Sequence, residues 1–234
     1  MNTFPQLSEK LLSNALNFLF PISCVCCKKK GYYLCADCLN KIPLLESYIF
    51  STTTLPNLTA ETLSGVIPAA HYTNLKTAIY AFKYSRIKSL AAPFGNLMRK
   101  RLKKFLADNP GEWSVIPLPL HRRKKCSRGF NQNDLLSAEC FKEYADPLSI
   151  TLCLGKNNPL QRVKDTKSQT NLNGTQRIEN VKKCFCVKDL ESVKNKRILL
   201  IDDIITTGAT LKEAADTLFY AGAKLVWGCV LAQD

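Results

Sequence analysis

Two short stretches of this 234-residue chain carry residue types whose spacing can do chemistry. The first is "CVCCKKKGYYLCADC". Cys24 and Cys27 are separated by two residues, and so are Cys35 and Cys38. Two such pairs offer four thiolates able to close tetrahedrally on one Zn²⁺ ion, and the Lys-Lys-Lys-Gly loop between them is short enough for a zinc knuckle. Cys26 competes for a place in the first pair at the cost of its two-residue spacing, and is read as a spectator. Four thiolate ligands leave no open coordination position, so the expected role of the ion is structural. The second stretch is "ILLIDDIITTGAT", Ile198 to Thr210, in which two aspartates follow an apolar run and precede a threonine–glycine loop. Buried carboxylates are costly unless compensated, so Asp202 and Asp203 must face donors or a cation.

The elements around the aspartates define what they face. "RILLIDDI" shows almost no apolar–polar alternation, as expected of a parallel strand covered on both sides. "TLKEAADTLFYAGA" reads as a helix stopped at Gly222. Ligands bind where such strands end and the next helix starts. There the unpaired N–H groups of the helix N-terminus suit a phosphate. Gly208 permits close backbone approach, and Thr206, Thr207 and Thr210 add hydroxyls around Ala209. Phosphate would be repelled by the aspartates, whereas vicinal sugar hydroxyls suit them, directly or through Mg²⁺. A 5′-phosphate on the loop and a ribose diol on the carboxylates together describe a phosphorylated ribose. An N-cap aspartate on a buried strand accounts for one of the two acids but not for both with this loop.

The rest of the chain supplies a frame of alternating strands and helices, which predicts a mostly parallel sheet with helical crossovers. Strands are expected at "GVIPAAHY", "WSVIPLP", "SITLCL" and "KLVWGCVLA". Helices are expected after Ser8, at "NLKTAIYAFKYS", from Arg86 to Leu106 with a kink at Pro93, and from Asn133 to Tyr144. "LHRRKKCSRGFNQ" reads as a basic loop, and Gly155 to Lys183 as a long polar segment of the kind that is functional or disordered. Three regions follow: residues 1–46 as an N-terminal helix with the zinc knuckle, 47–62 as a linker rich in Ser and Thr, and 63–234 as the main domain.

Composition narrows the class. Lys and Arg number 33 against 19 Asp and Glu, a net charge of +14. Such an excess favours anionic partners such as phosphorylated metabolites, nucleic acid or acidic lipid, although solubility alone also accounts for it. Eleven cysteines, most of them scattered among apolar neighbours, fit a reducing compartment, and a cytoplasmic protein is expected. Leu11 to Ile22 is too short and too interrupted to span a bilayer, and lacks the marks of a signal peptide. No GxGxxG, GxxxxGK[ST] or GxSxG motif is present, so dinucleotide, P-loop and hydrolase readings find no support.

The Asp-Asp and Thr-Thr-Gly-Ala-Thr stretch resembles the signature of type I phosphoribosyltransferases, which bind phosphoribosyl pyrophosphate (PRPP) with Mg²⁺. The four-cysteine knuckle, "VIPLPLHRRKKCSRGFNQNDLLSAE" and "PLQRVKDTKSQTNLNGTQRIENVKKCF", in this order before that loop, are similar to the ComF/ComFC family of natural competence. The resemblance implies a type I phosphoribosyltransferase-like α/β fold with a small zinc-binding appendage. It implies that Leu118 to Gln132 holds the pyrophosphate through Arg122, Arg128 and their basic neighbours, with Lys83, beside Tyr84, as a further contact. It also implies that Arg162 to Lys183 is the segment that covers the substrate, with Arg162, Lys164, Gln169, Arg177 and Asn180 as contacts. Asp202, Asp203, Arg162 and Gln169 are then the candidate catalytic residues. His71 and His121, the only histidines, receive no catalytic role.

Three functions remain open on these residues. The first is a protein of DNA uptake that acts on incoming single-stranded DNA and carries a PRPP site. Basic and aromatic residues interleave at Lys28 to Tyr33, at Phe82 to Arg86 and at Arg128 to Phe130, as single-strand binders require. Lys28, Lys29, Lys30, Arg123, Lys124 and Lys125 are its candidate contacts. The second is a phosphoribosyltransferase acting on a small acceptor. The third is an adaptor whose knuckle docks a competence helicase.

Overall fold

The computed structural model describes residues 21–49, 61–144, 149–165 and 180–234. The helix expected after Ser8, most of the expected linker, and Gln169 and Arg177 lie outside the described residues. In chain order the elements are α1 (Ala36–Asn40), β1 (Gly65–His71), α2 (Tyr72–Tyr84), α3 (Ala91–Asp108), β2 (Trp113–Pro117), α4 (Arg122–Arg128) and α5 (Gln132–Phe141). They are followed by β3 (Ile150–Leu152), β4 (Leu160–Arg162), β5 (Phe185–Val187), β6 (Arg197–Ile205), α6 (Ala209–Tyr220) and β7 (Leu225–Gln233). Short 3₁₀ turns lie at Lys88–Leu90 and Gly155–Asn157.

Five strands form one parallel sheet in the order β1-β7-β6-β2-β3, and β4 and β5 form a separate antiparallel pair. The central strands are buried on both faces, and their residues alternate between two apolar clusters. Leu199 and Ile201 of β6 join one cluster with α2, α3 and α5, while Ile198 and Leu200 join the other with α6. Burying one such side chain contributes roughly 1.5–3 kcal/mol, and this doubly covered run holds β6 fixed.

Helix α3 buries Phe94, Leu97, Met98, Leu102 and Phe105 at helical spacing. Pro93 does not kink it. It falls in the first turn, where a missing N–H costs no intrahelical bond. Gly95 marks a close crossing, since a Cβ there would stand 2.6 Å from Glu139 Cβ and 2.8 Å from the Cys140 nitrogen on α5. The stretch expected to be a basic loop contains a helix instead. α4 has no apolar stripe to reveal it, but the His121 side chain caps its start and Gly129, at φ 83°, ends it in the left-handed conformation.

The N-terminal segment is fastened to the main sheet. Leu45 N–H donates to the Ala69 carbonyl, and Ile49 and Val66 exchange backbone hydrogen bonds, so residues 44–49 run antiparallel beside β1. Arg101, buried on α3, donates to the carbonyls of Pro68 on β1 and of Glu46 and Ser47 on that segment. Among the described residues no helix is long and apolar enough to cross a membrane.

Candidate functional site

β6 and β7 run on past the end of β2. Their pairing continues to Ile205 and Gln233, whereas β2 stops with Pro117 opposite Ile201. From β6 the chain continues to β7 on one side, and from β2 to β3 on the other, so the carboxyl ends of β6 and β2 flank a switch in strand order. A crevice is expected at such a point. Asp202 and Asp203 are the first β6 residues beyond the end of β2, and they line a cleft of about 720 Å³.

Asp203 shares the parity of Leu199 and Ile201 and so points to the side covered by α2. There Lys83 Nζ lies 2.8 Å from its Oδ2, with both side chains largely buried. Asp202 is held by a different set of donors. Its Oδ1 accepts from Asn133 Nδ2 at 3.0 Å and from the Asp203 N–H at 2.9 Å. Burial and the adjacent Asp203 carboxylate push Asp202 up to about 7, against the opposing pull of Lys83 and these donors. The pair therefore carries one carboxylate neutralised by a lysine and one that holds its proton more tightly than an ordinary aspartate.

Asn133 was not anticipated from sequence. The helix expected from Asn133 starts at Gln132, and Asn131 caps it by accepting from Asn133 N–H at 3.3 Å. Their burial, and the anchoring of Asn131 and Asn133 on the Leu118 carbonyl, follow only once β2 and β6 are set beside α5.

The same cleft also has a cationic lining. Lys124 and Arg128, one turn apart on α4, line the cleft with Arg162 of β4. Arg128 is bonded to Gln132. Burial, with Arg162 and Arg128 nearby, pulls Lys124 below the usual lysine range. Arg122, Arg123 and Lys125 are exposed and do not line the cleft, and Arg123 faces Asp165 at 3.3 Å. The same carboxylate lies 3.3 Å from His121 Nδ1. Lys164 is exposed and donates to the Lys182 carbonyl at 2.8 Å.

Thr206 and Thr210 reach the cleft, and Thr206 to Thr210 also form a small recess ahead of α6. Gly208, at φ 74°, makes the left-handed turn that lets the loop enter the helix, and Thr207 Oγ1 accepts from Ala209 N–H at 3.4 Å. Amide groups, hydroxyls and the positive end of α6 thus meet beside the aspartates.

The cysteine cluster forms a second candidate site. The sulfurs of Cys24, Cys27, Cys35 and Cys38 all lie within 4.8 Å of one another, and Cys26 is outside the group. A tetrahedral zinc–thiolate centre places its sulfurs about 3.8 Å apart, so these four fit such an ion. Burial raises the Cys24 thiol, but backbone N–H groups of Cys27, Cys35 and Cys26 outweigh it and bring the thiol down to about 6. Cys24 and Cys35 belong to the same apolar cluster as Leu75, Ile79 and Phe82 of α2. Lys28, Lys29 and Lys30 are exposed at the knuckle's tip, where Lys29 pairs with Asp37 at 2.9 Å.

Residues 137–234, which include β6, its loop and β7, match the phosphoribosyl transferase domain family. Together with the parallel sheet and the carboxylate–threonine cleft, this defines a phosphoribosyltransferase-like α/β protein. The chain is 36% identical over 125 residues to Competence protein F of Haemophilus influenzae, covering 51% of this chain and 50% of that one. It is 30% identical over 160 residues to DNA utilization protein YhgH of Escherichia coli O157:H7, covering 65% and 64%. It is 29% identical over 148 residues to Competence protein ComFC of Bacillus subtilis, covering 63% and 55%. The matches thus span between half and just under two thirds of these relatives' own lengths. These relatives and the domain match agree with the resemblance of the sequence motifs to the ComF/ComFC family.

Proposed function

We propose that the cleft binds PRPP with Mg²⁺ and that the protein serves DNA uptake by acting on incoming single-stranded DNA. The observation that carries the first part is the placement of Asp202 and Asp203 beyond the end of β2, beside the Thr206–Thr210 loop and in one cleft with Lys124, Arg128 and Arg162. The loop would take the 5′-phosphate, the carboxylates the ribose diol, and the cations the pyrophosphate. Lys83 already occupies one oxygen of Asp203, so Asp202 is the carboxylate left to share Mg²⁺ with the ligand's own oxygens. The ion would neutralise the pyrophosphate where it meets the aspartates. The competence role is supported by the relatives' names and by the charge of +14. The four-cysteine knuckle is proposed to hold structural zinc.

Calorimetry with PRPP and Mg²⁺ tests the site. Asp202→Asn and Asp203→Asn should each weaken binding at least tenfold, and binding unchanged in both would remove the assignment. Binding of unstructured oligonucleotides should be strong at low salt and fall steeply as salt rises, and none at low salt would defeat the DNA reading.

Transfer of the phosphoribosyl group to a small acceptor is a second reading, favoured by the phosphoribosyl transferase domain match over residues 137–234, which contains both aspartates and the threonine loop. Release of pyrophosphate from PRPP in the presence of a panel of bases and amines separates it from binding alone.

A further inference from the structure

The side of α2 that borders the cleft carries Lys76, Tyr80 and Tyr84, spaced four residues apart and therefore aligned in one stripe. Their neighbours Leu75, Ala78, Ile79 and Phe82 are buried in the core. The two tyrosines are not, with Tyr80 61% and Tyr84 55% exposed. Their ring centroids lie 4.8 Å apart at an interplanar angle of 42°. From the facing helix α4, the Arg128 guanidinium stands 5.8 Å from the Tyr84 ring. Arg86 fixes that spacing, because its Nη2 donates to the Ser127 carbonyl at 2.7 Å and ties the end of α2 to α4.

Two large aromatic side chains held against each other on an exposed stripe form an apolar face that core packing does not explain. A border of Lys76 and Arg128 on the same cleft selects the chemistry of whatever covers that face. An apolar protein surface gains nothing from such cations, whereas a base attached to a sugar phosphate satisfies both the rings and the charges. Phe82 and Phe130, aromatic in the same sequence stretches, are unavailable for this purpose, being buried with their rings 5.8 Å apart.

We propose that Tyr80 and Tyr84 form a stacking platform that seats a nucleobase of single-stranded DNA at the mouth of the cleft, with Lys76 and Arg128 on the adjoining phosphates. The platform rests on the nucleic-acid part of the function proposed above. It places the strand beside the phosphoribosyl site rather than on the knuckle.

The test compares a short oligothymidylate with an abasic strand of equal length, by fluorescence anisotropy at low salt. The wild-type protein should bind the strand with bases about tenfold more tightly. Tyr80→Ala/Tyr84→Ala should erase that preference while keeping the abasic affinity and its salt dependence. Tyr84→Phe should keep the preference, and Tyr84→Leu, which retains apolar area without a π face, should lose most of it. Equal wild-type affinity for the two strands overturns the platform and leaves electrostatic DNA binding standing. A double variant that still prefers bases, or a leucine variant equal to wild type, also overturns it. No binding of either strand overturns the platform together with the DNA reading.

Discussion

Lys83 Nζ lies 2.8 Å from Asp203 Oδ2, joining the last turn of α2 to the strand that carries both aspartates. The lysine takes the place a cation would otherwise have to fill. Asp203 is 4% exposed, and a bare carboxylate so placed would carry a large desolvation cost. With Lys83 in position, the two adjacent acids need not both be compensated by ligand. The same contact makes α2 part of the site.

Removing one partner of this pair should cost more than removing both. Lys83→Met leaves the Asp203 carboxylate buried without its counter-ion, and a loss of about 3 kcal/mol is expected in urea unfolding. Lys83→Met/Asp203→Asn should recover most of that loss. A double variant no more stable than the lysine variant would show that Lys83 acts through packing alone.

Asp202 should reveal itself through pH. Its carboxyl is raised to about 7, chiefly by burial and then by Asp203, against about 3.9 in an unfolded chain. A carboxyl raised in the folded state penalises folding once the unfolded chain ionises. The penalty begins near pH 4, grows towards pH 7 and is constant above it. Asp202→Asn should therefore match the wild type near pH 4 and be more stable at pH 8, by on the order of 2 kcal/mol. The same substitution should weaken PRPP binding, a trade of stability against function. Melting curves across this range check the sign, and a variant less stable at pH 8 than at pH 4, relative to wild type, would reverse it.

Much of this site was legible in the residues, and the part that was not has a physical cause. "ILLIDDIITTGAT" announced a doubly buried strand, a carboxylate pair at its end and a glycine turn into the next helix because each follows from local chemistry. The cysteine pairs were equally local. The partners of the aspartates were not, since Lys83 and Asn133 are distant in sequence and reach them only through the strand order. α4 was hidden because "RRKKCSR" has no apolar periodicity and is held by its ends. Among its basic residues, Lys124 and Arg128 share one helix face and line the cleft, whereas Arg122 and Lys125 fall on other faces and are exposed.

The crossing of α3 and α5 positions Asn133 from behind. Gly95→Ala would put a Cβ 2.6 Å from Glu139 Cβ and against α5 backbone, which cannot yield as a side-chain tip can. A destabilisation of about 1–3 kcal/mol is expected. Because α5 must shift to relieve the contact, PRPP affinity should fall as well, although residue 95 lies outside the cleft lining. Thermal melting and calorimetry on the one variant test both. Unchanged melting would mean the helices separate without cost.

Zinc removal should be felt beyond the knuckle. Cys24 and Cys35 are buried in the cluster that also packs Leu75, Ile79 and Phe82 of α2, the helix bearing Lys83, Tyr80 and Tyr84. Ser in place of Cys24, Cys27, Cys35 or Cys38 should abolish stoichiometric zinc in metal analysis and lower the melting temperature, as should a strong chelator. Cys26→Ser should do neither, because that sulfur is outside the cluster. The chelated protein should also bind PRPP more weakly, since loosening the knuckle frees one side of α2 and with it the lysine that neutralises Asp203. Full zinc retention in the Cys24→Ser and Cys35→Ser variants would remove the metal assignment. PRPP affinity unchanged by chelation would instead confine the ion's effect to the knuckle.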